Sequence, residues 1–400
     1  MSDRPGRILW FVPEFRASTD FILASQELVP ARLLADAGFE GMFVGSDTDE
    51  SSARKALGMP VLQGLSRALV LTHFPRRPNY LTLRRSIRRV GRQSWPEIAA
   101  WRPDFVYYSN VAPASVARGI ARRLGAQTVF YMKAAVCEES AYRHGRRGLG
   151  YRLLRRKEAA TVRRADRLLC VSHPLRDWMR RYAGRADAQV IPCSVDGSWF
   201  HFRPEGRTRV RTLLGWPERA PVAAWCGGLF AWHRPRDTLR LLASLQARRP
   251  QLKVVLLTGE VDALQEMALA HGLSPGTFDV RRVPHGEMPD WLSAADIGLS
   301  LRESGPFTEV SSPIKIGEYL ACGLPVVCNA GIGDHSELVQ SAGVGTFADR
   351  VDERSIREAD KLLSAAMADR TLRDRCRALA RERLTWSAHL DTLRDVFSLD

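Results

Sequence analysis

Residues Ser311–Asn329 read SSPIKIGEYLACGLPVVCN. Two hydroxyls and a proline open the stretch, Lys315 and Glu318 interrupt an apolar run, and Gly323–Leu324–Pro325 leads into VVC. This pattern predicts a helix over 313–322, entered through Ser311, Ser312 and Pro313 and stopped at Gly323, followed by a buried strand. The helix N-terminus presents backbone N–H groups and a partial positive charge, which suits a diphosphate. Lys315 in the first turn adds a full charge. Glu318, three residues on along the same face, can accept two hydrogen bonds from vicinal hydroxyls such as those of ribose. The competing reading of the two side chains is an exposed i,i+3 ion pair.

The same alternation of short apolar runs and helical stretches extends in both directions. Upstream, RILWFVP (7–13), FEGMFVGS (39–46), ALVLTHF (68–74), PDFVYYS (103–109), TVFYMKA (128–134) and RLLCVS (167–172) read as strands. Helices such as LVPARLLADAG (28–38) and ASVARGIARRLG (114–125) lie between them, with glycine as the stop. Strands separated by helices imply parallel βαβ units. VIPCSVDGSWFHFRPEG (190–206) breaks the rhythm with Pro, Gly and Asp and reads as a linker. The alternation then resumes with APVAAWCGG (220–228), LKVVLLTG (252–259), WLSAADIGLSL (291–301) and LPVVCNA (324–330). The expected fold is α/β, with two Rossmann-like doubly wound domains facing each other across a cleft. Residues 1–195 form the first, 196–385 the second, and 386–400 a terminal helix crossing back to the first. Ligands of such sheets bind at the carboxyl ends of the strands.

Bulk composition narrows the function classes. No run of about 18 apolar residues is present, so no transmembrane helix is expected. The start, MSDRPGRILWFVPEF, lacks the apolar stretch and cleavage site of a signal peptide, and a cytoplasmic location is expected. The seven cysteines form no CxxC pair and sit mostly in apolar runs, which argues for buried thiols over a metal site or disulfides. The net charge is +15, which suggests an anionic partner, but only six of the 59 basic residues are lysine. Such arginine dominance also arises from genome-wide codon bias. No nucleic-acid-binding signature appears among the arginines, so nucleic acid is not an expected partner.

The run PxKxxEYLACGLPVV resembles the donor-site signature of the family-4 retaining glycosyltransferases of GT-B fold. Other landmarks of that family follow in order: EAATVRRADRLLCVS (158–172), QVIPCSVDGSWF (189–200), the glycine-rich turn in AAWCGGLFAWHRP (223–235), VPHGEMPDWLSAADIGL (283–299) and a terminal helix at Trp386. The resemblance is good from about residue 155 onward and weak before it. It implies that Glu318 holds the ribose of a nucleotide sugar, that the acceptor is a saccharide or a lipid-linked one, and that no metal or other cofactor is needed. The implied chemistry is transfer of the sugar with retention, with the leaving phosphate oxygen taking the acceptor's proton, in cell-surface polysaccharide assembly.

Two departures from the family pattern stand out. The family's second glutamate, eight residues before the ribose one, is Val310 here, with Glu309 one place earlier. Thr308, Ser311, Ser312 or nearby amides are the candidate replacements. In the glycine-rich turn, Gly227 is followed by Gly228 where the family often carries arginine, which leaves His233 or Arg234, with Lys315, as candidates for the diphosphate. The remaining reading of His233 is an exposed loop residue. In the first domain, YMKAAVCEES (131–140) matches part of a D-x-R-G-x-x-x-E-E stretch of related members. Lys133 stands in the arginine's place, and Glu138–Glu139 are candidates for acceptor binding or general base. The alternative is a solvated helix start. Glu14, after the first strand, faces the same way in this topology.

NYLTLRRSIRRVGRQ (79–93) places Leu83, Ile87 and Val90 on one helical face and Arg84, Arg85, Arg88, Arg89 and Arg92 on its flanks. That is the pattern of a helix lying on an anionic membrane, or of a surface helix packed on a sheet. A second basic run, YRHGRRGLGYRLLRRKE, occupies 142–158. Two rival readings remain: a sugar-nucleotide epimerase or related enzyme of the same fold, and a donor-binding protein without turnover.

Overall fold

The computed structural model describes residues 5–17, 23–76, 78–146 and 148–399. Met1–Arg4 of the charged lead, Ser18 and Thr19 beyond Glu14, and Arg147 of the second basic run lie outside the described residues. The chain divides into two compact units, Met1–Cys193 with Trp386–Asp400, and Ser194–Thr385.

The first unit is built on a seven-stranded parallel sheet in the order β3-β2-β1-β4-β5-β6-β7. The strands are β1 (Arg7–Arg16), β2 (Glu40–Ser46), β3 (Arg67–Leu71), β4 (Phe105–Tyr108), β5 (Gln127–Met132), β6 (Arg167–Cys170) and β7 (Gln189–Val190). Their apolar runs suit a sheet covered on both faces, and Ile8–Val12 are fully buried. A π-helical turn, Ala24–Leu28, runs into α1 (Val29–Asp36), so the helix expected from residue 28 begins one wide turn earlier. That turn carries three buried polar side chains, Ser25, Gln26 and Glu27, and π-turns of this kind often mark functional positions.

Helix α2 (Tyr80–Gln93) opens with a capping box between Asn79 and Thr82. Ile87 and Val90 are buried, and a Cβ on Gly91 would lie 2.5 Å from Val116 on α3 (Ala114–Leu124). Of the two readings of this apolar face, lipid or the sheet, the structure has the second: it packs on the unit's own core, while Arg84, Arg85, Arg88, Arg89 and Arg92 stay exposed. α4 (Val136–His144) and α5 (Leu149–Arg164) follow β5. The first turns of α5 project from the unit, leaving Leu149 and Leu153 exposed at 72% and 46%. The chain's last residues complete this core. Trp386 Nε1 donates to Ser25 O at 2.9 Å, and Phe397 sits 5.5 Å from Phe105 and 6.0 Å from Trp10 between ring centroids.

The second unit has a six-stranded parallel sheet in the order β10-β9-β8-β11-β12-β13. Its strands are β8 (Val222–Cys226), β9 (Lys253–Leu257), β10 (Phe278–Arg281), β11 (Ile297–Ser300), β12 (Val326–Cys328) and β13 (Gly345–Phe347). The helices used below are α6 (Pro204–Leu213), α7 (Pro235–Arg248), α8 (Ile314–Ala321), α9 (Glu353–Ala368) and α10 (Arg370–Arg383). The strand order reverses between β8 and β11, which defines the switch point where ligands of such sheets bind. Tyr319 seats α8 over that point: its hydroxyl accepts from Cys226 N at 2.9 Å and donates to Leu299 O at 3.2 Å. Gly298 admits the Tyr319 ring, since a Cβ there would lie 2.6 Å from it. No helix among the described residues is long and apolar enough to cross a membrane.

Candidate functional site

At the carboxyl end of β8 the chain turns through Gly227 and Gly228. A Cβ on Gly227 would lie 2.3 Å from Lys315 Nζ, so the ammonium rests directly against this turn and only glycine fits. Lys315 lies in the first turn of α8, over the Trp225 ring at 5.8 Å. Pro313 occupies the N-cap position rather than the first turn, and no side chain caps the helix. Among the described residues, therefore, no carboxylate or hydroxyl takes the amides of this end.

One turn further along, Glu318 is 3% exposed. Burial raises its carboxyl to about 7, with Lys315 opposing the shift. Burial lowers the Lys315 ammonium in turn, and the Arg302 guanidinium pushes it the same way. No salt bridge joins Lys315 to Glu318 among the described residues, so the two are not the exposed ion pair of the competing reading. They are a half-buried cation and a buried carboxylate one turn apart, with no ion pair or hydrogen bond to either side chain among the described residues.

His233 ends a 3-10 turn, and its Nδ1 lies 2.9 Å from Gly228 O. A carbonyl only accepts, so Nδ1 carries the proton. Burial, with Lys315 adding to it, lowers the ring to about 3. His233 is thus neutral with Nε2 as a lone-pair acceptor, and it brings no positive charge to a phosphate. Arg234 is left-handed at φ 46° and its Nε donates to Asp237 Oδ2 at 2.9 Å, so its side chain is folded back on α7.

The cation that the sequence does not flag is Arg302, two residues past β11. Its N–H donates to Asn329 Oδ1 at 2.7 Å, and its charge lowers Lys315, His233 and His335 alike. His335 is 2% exposed, neither ring nitrogen has a partner, and burial takes it to about 4. Two further side chains shape the turn after β8. Glu260 Oε2 accepts from Leu229 N at 2.7 Å, and Phe230 stacks on Trp232 at 4.7 Å. None of these positions stands out in sequence, because each matters only through what the fold brings beside it.

Between β11 and α8, Thr308 is buried with an unpartnered Oγ1. Ser311 Oγ donates to Thr308 O at 2.8 Å, and Ser312 is buried. Val310 is buried in the core side of this loop, whereas Glu309 is exposed. The neighbouring carboxylate therefore does not swing into the valine's place.

The first-unit candidates separate. Lys133, at the end of β5, donates to Glu27 Oε1 at 2.5 Å and to Gln26 O at 2.8 Å. Glu27, from the π-turn, is 0% exposed and also accepts from the Tyr107 and Ser109 hydroxyls, each at 2.6 Å. Glu138 is buried, accepting from Arg146 Nη2 at 2.8 Å and from Tyr151 OH at 2.9 Å, while Glu139 is exposed. Lys133 is thus joined to Glu27, which the sequence reading did not single out, and not to Glu138 or Glu139. Glu14, expected after the first strand, is a buried residue within it, because β1 runs on to Arg16. The N-terminus of α4 is closed by Glu158 of α5, which accepts from Val136 N at 2.9 Å and Cys137 N at 3.3 Å. The start of α4 is thus capped by a carboxylate, whereas that of α8 has no side-chain cap.

The two units match two consecutive family profiles, Glycosyltransferase Family 4 over residues 31–199 and Glycosyl transferases group 1 over residues 207–383. The chain belongs to the family-4 glycosyltransferases of group 1 type. Its fold is GT-B. The structure is similar to that of sucrose-phosphate synthase from Thermosynechococcus elongatus, with a TM-score of 0.77, 16% identity and 98% of each chain covered. It is also similar to Anabaena HepE in complex with UDP and glucose, with a TM-score of 0.71, 16% identity, and 98% and 99% of the two chains covered. Among curated relatives of this glycosyltransferase, the putative teichuronic acid biosynthesis glycosyltransferase TuaC of Bacillus subtilis is 24% identical over 226 residues, 56% of this chain and 53% of that one. A D-inositol 3-phosphate glycosyltransferase of Nocardioides is 30% identical over 198 residues, 45% of this chain and 41% of its own. The chain thus spans about half the length of the curated relatives it matches.

Proposed function

We propose that this protein is a retaining glycosyltransferase that moves a sugar from a nucleotide-diphosphate sugar to a saccharide or lipid-linked acceptor in cell-surface polysaccharide assembly. The observation that carries the reading is the uncapped N-terminus of α8 at the switch point, with Lys315 against the Gly227 turn and Glu318 buried one turn on. The ribose hydroxyls meet Glu318. The diphosphate meets the amides of α8, Lys315 and Arg302, and the Gly227–Gly228 turn lets the backbone approach. His233 orients the donor as a neutral hydrogen-bond acceptor, and Thr308, Ser311 and Ser312 lie along the sugar's side of the loop.

In the proposed reaction the bond from the anomeric carbon to the phosphate oxygen breaks as the acceptor oxygen bonds to that carbon on the same face. The acceptor's proton passes to the departing phosphate oxygen, and the fixed positive charge around the diphosphate stabilises the leaving group without a metal ion. Glu139 is the exposed acceptor-side carboxylate of this reading. Lys133 is oriented by Glu27, and Glu138 by Arg146. Electrostatic attraction of the exposed arginines of α2 to an anionic surface places the protein at the inner face of a membrane, in the cytoplasm.

Val310 favours a second reading, a donor-binding protein without turnover, because a buried valine offers nothing to a sugar hydroxyl where the family carries a carboxylate. Nucleotide binding with no transfer to any acceptor tested would select it. For the donor site itself, Glu318→Ala is expected to weaken UDP or GDP binding at least tenfold by calorimetry. Unchanged binding in that variant removes the site from α8.

A further inference from the structure

The opposite end of the second sheet carries a basic pocket of about 870 Å³, walled by α6, the turn before β8, the residue before β11, and the junction of α9 and α10. That volume is in the range of small-ligand sites. Five arginines line it, Arg207, Arg219, Arg370, Arg373 and Arg377, against three acids, Glu218, Asp296 and Asp374, so the wall has two positive charges in excess (5 − 3). It lies just before β8 and β11, whereas the donor site lies just after them. β8 is five residues long, so at about 3.3 Å per residue the two sites are about 15 Å apart.

The charges within the pocket are unevenly matched. Buried Asp296 is shared by three guanidinium groups: Arg211 Nη2 at 3.1 Å, Arg207 Nη1 at 3.2 Å, and Arg373 Nη2. One of its oxygens also accepts from Val222 N at 2.8 Å. Asp296 accepts two donors at each oxygen and is saturated, and Arg373 Nη1 is left buried with no acceptor. Arg219 and Arg370 at the rim are exposed and make no ion pair or hydrogen bond among the described residues. Beside them, Phe202 lies 5.8 Å from the Arg373 guanidinium and 5.7 Å from that of Arg377. This arrangement, fixed guanidinium groups with unused donors around a concave wall and one aromatic face, is the chemistry that recognises phosphate oxygens.

We propose that the pocket between α6 and the α9–α10 junction binds a small soluble phosphate ligand carrying at least two negative charges, separately from the donor site. Arg373 supplies its charge from beneath the floor, and Arg219 and Arg370 close over the ligand from the rim. Burial lowers Arg373, with Arg207 adding to the effect and Asp296 opposing it, and an anion beside it opposes the shift as well.

The test is calorimetric titration of the full chain with pyrophosphate, which both sites accept. The wild type is expected to bind two equivalents. Arg219→Gln/Arg370→Gln, which removes two exposed side chains without partners, is expected to weaken one event at least tenfold and leave the other. Lys315→Ala is expected to remove the complementary event, and Arg84→Gln/Arg85→Gln on α2 to leave both. A rim variant that titrates like the wild type overturns the proposal. So does an equal loss in the α2 control, which would mean diffuse attraction to a basic protein. Absence of any binding in Lys315→Ala overturns it as well.

Discussion

Glu318 is a carboxylate whose position in the fold opposes its charge. Its ordinary value is 4.5 and burial raises it to about 7, so between those values the folded chain holds a proton that the unfolded chain has released. The stability from that proton is fully present below about 4.5 and lost as pH rises through about 7. At about 1.4 kcal/mol per unit, the effect is at most about 3 kcal/mol. Glu318→Gln should flatten this slope, becoming more stable than wild type at pH 8 relative to pH 5 in urea denaturation. Nucleotide binding should respond with the opposite sign. Ribose hydroxyls need the ionised carboxylate, so UDP affinity in the wild type rises with pH through neutrality, and proton release is measured in buffers of different ionisation enthalpy. An affinity independent of pH between 6 and 8 would leave Glu318 outside the ribose site. Lys315 and Glu318 were legible in sequence because helix periodicity alone puts them on one face. Arg302 and His335 were not, because their importance depends on loops from different strands meeting at one switch point.

At the scale of elements, amphipathicity identified α2 correctly as a helix but not what its apolar face meets. A stripe of Leu83, Ile87 and Val90 fits a sheet as well as it fits lipid, and the fold buries Ile87 and Val90. In the proposed membrane reading the attraction through α2 is electrostatic, while the exposed leucines belong to α5, where Leu149 and Leu153 sit among Arg152, Arg155 and Arg156. Flotation with anionic vesicles separates the two contributions. Arg84→Gln, Arg85→Gln, Arg88→Gln and Arg89→Gln together should abolish recovery at about 0.15 M salt, where charges beyond about 8 Å are screened. Leu149→Ser/Leu153→Ser should weaken binding that persists at higher salt. Equal recovery of wild type and both variants would show that neither helix meets the membrane. The same limit applies to α4: Glu138–Glu139 at its start read as a carboxylate pair, but Arg146 and Tyr151 hold Glu138 in the interior while Glu139 is exposed.

For the molecule as a whole, the first unit is discontinuous in sequence. Residues 386–400 supply Trp386 and Phe397 to a core whose strands come from the first 193. Phe397 is buried against Trp10, Phe105 and Tyr107. Phe397→Ala should destabilise by about 3–5 kcal/mol, the range for a buried aromatic truncated to alanine. The loss should appear in the transition of the first unit, read by Trp10 fluorescence, and leave UDP binding by the second unit intact at low temperature. A shift confined to the second unit's transition would contradict this packing. The sequence by itself determined the α/β class, the strand and helix alternation, and a helix bearing Lys315 and Glu318, because these follow from local periodicity and from glycine and proline chemistry. Tertiary structure alone decided which helix end stays open to an anion, since only the fold brings Glu158 onto α4 and leaves α8 uncapped. It alone made His233 neutral and paired Lys133 with Glu27, because burial and the identity of a distant neighbour are properties of packing, not of spacing along the chain.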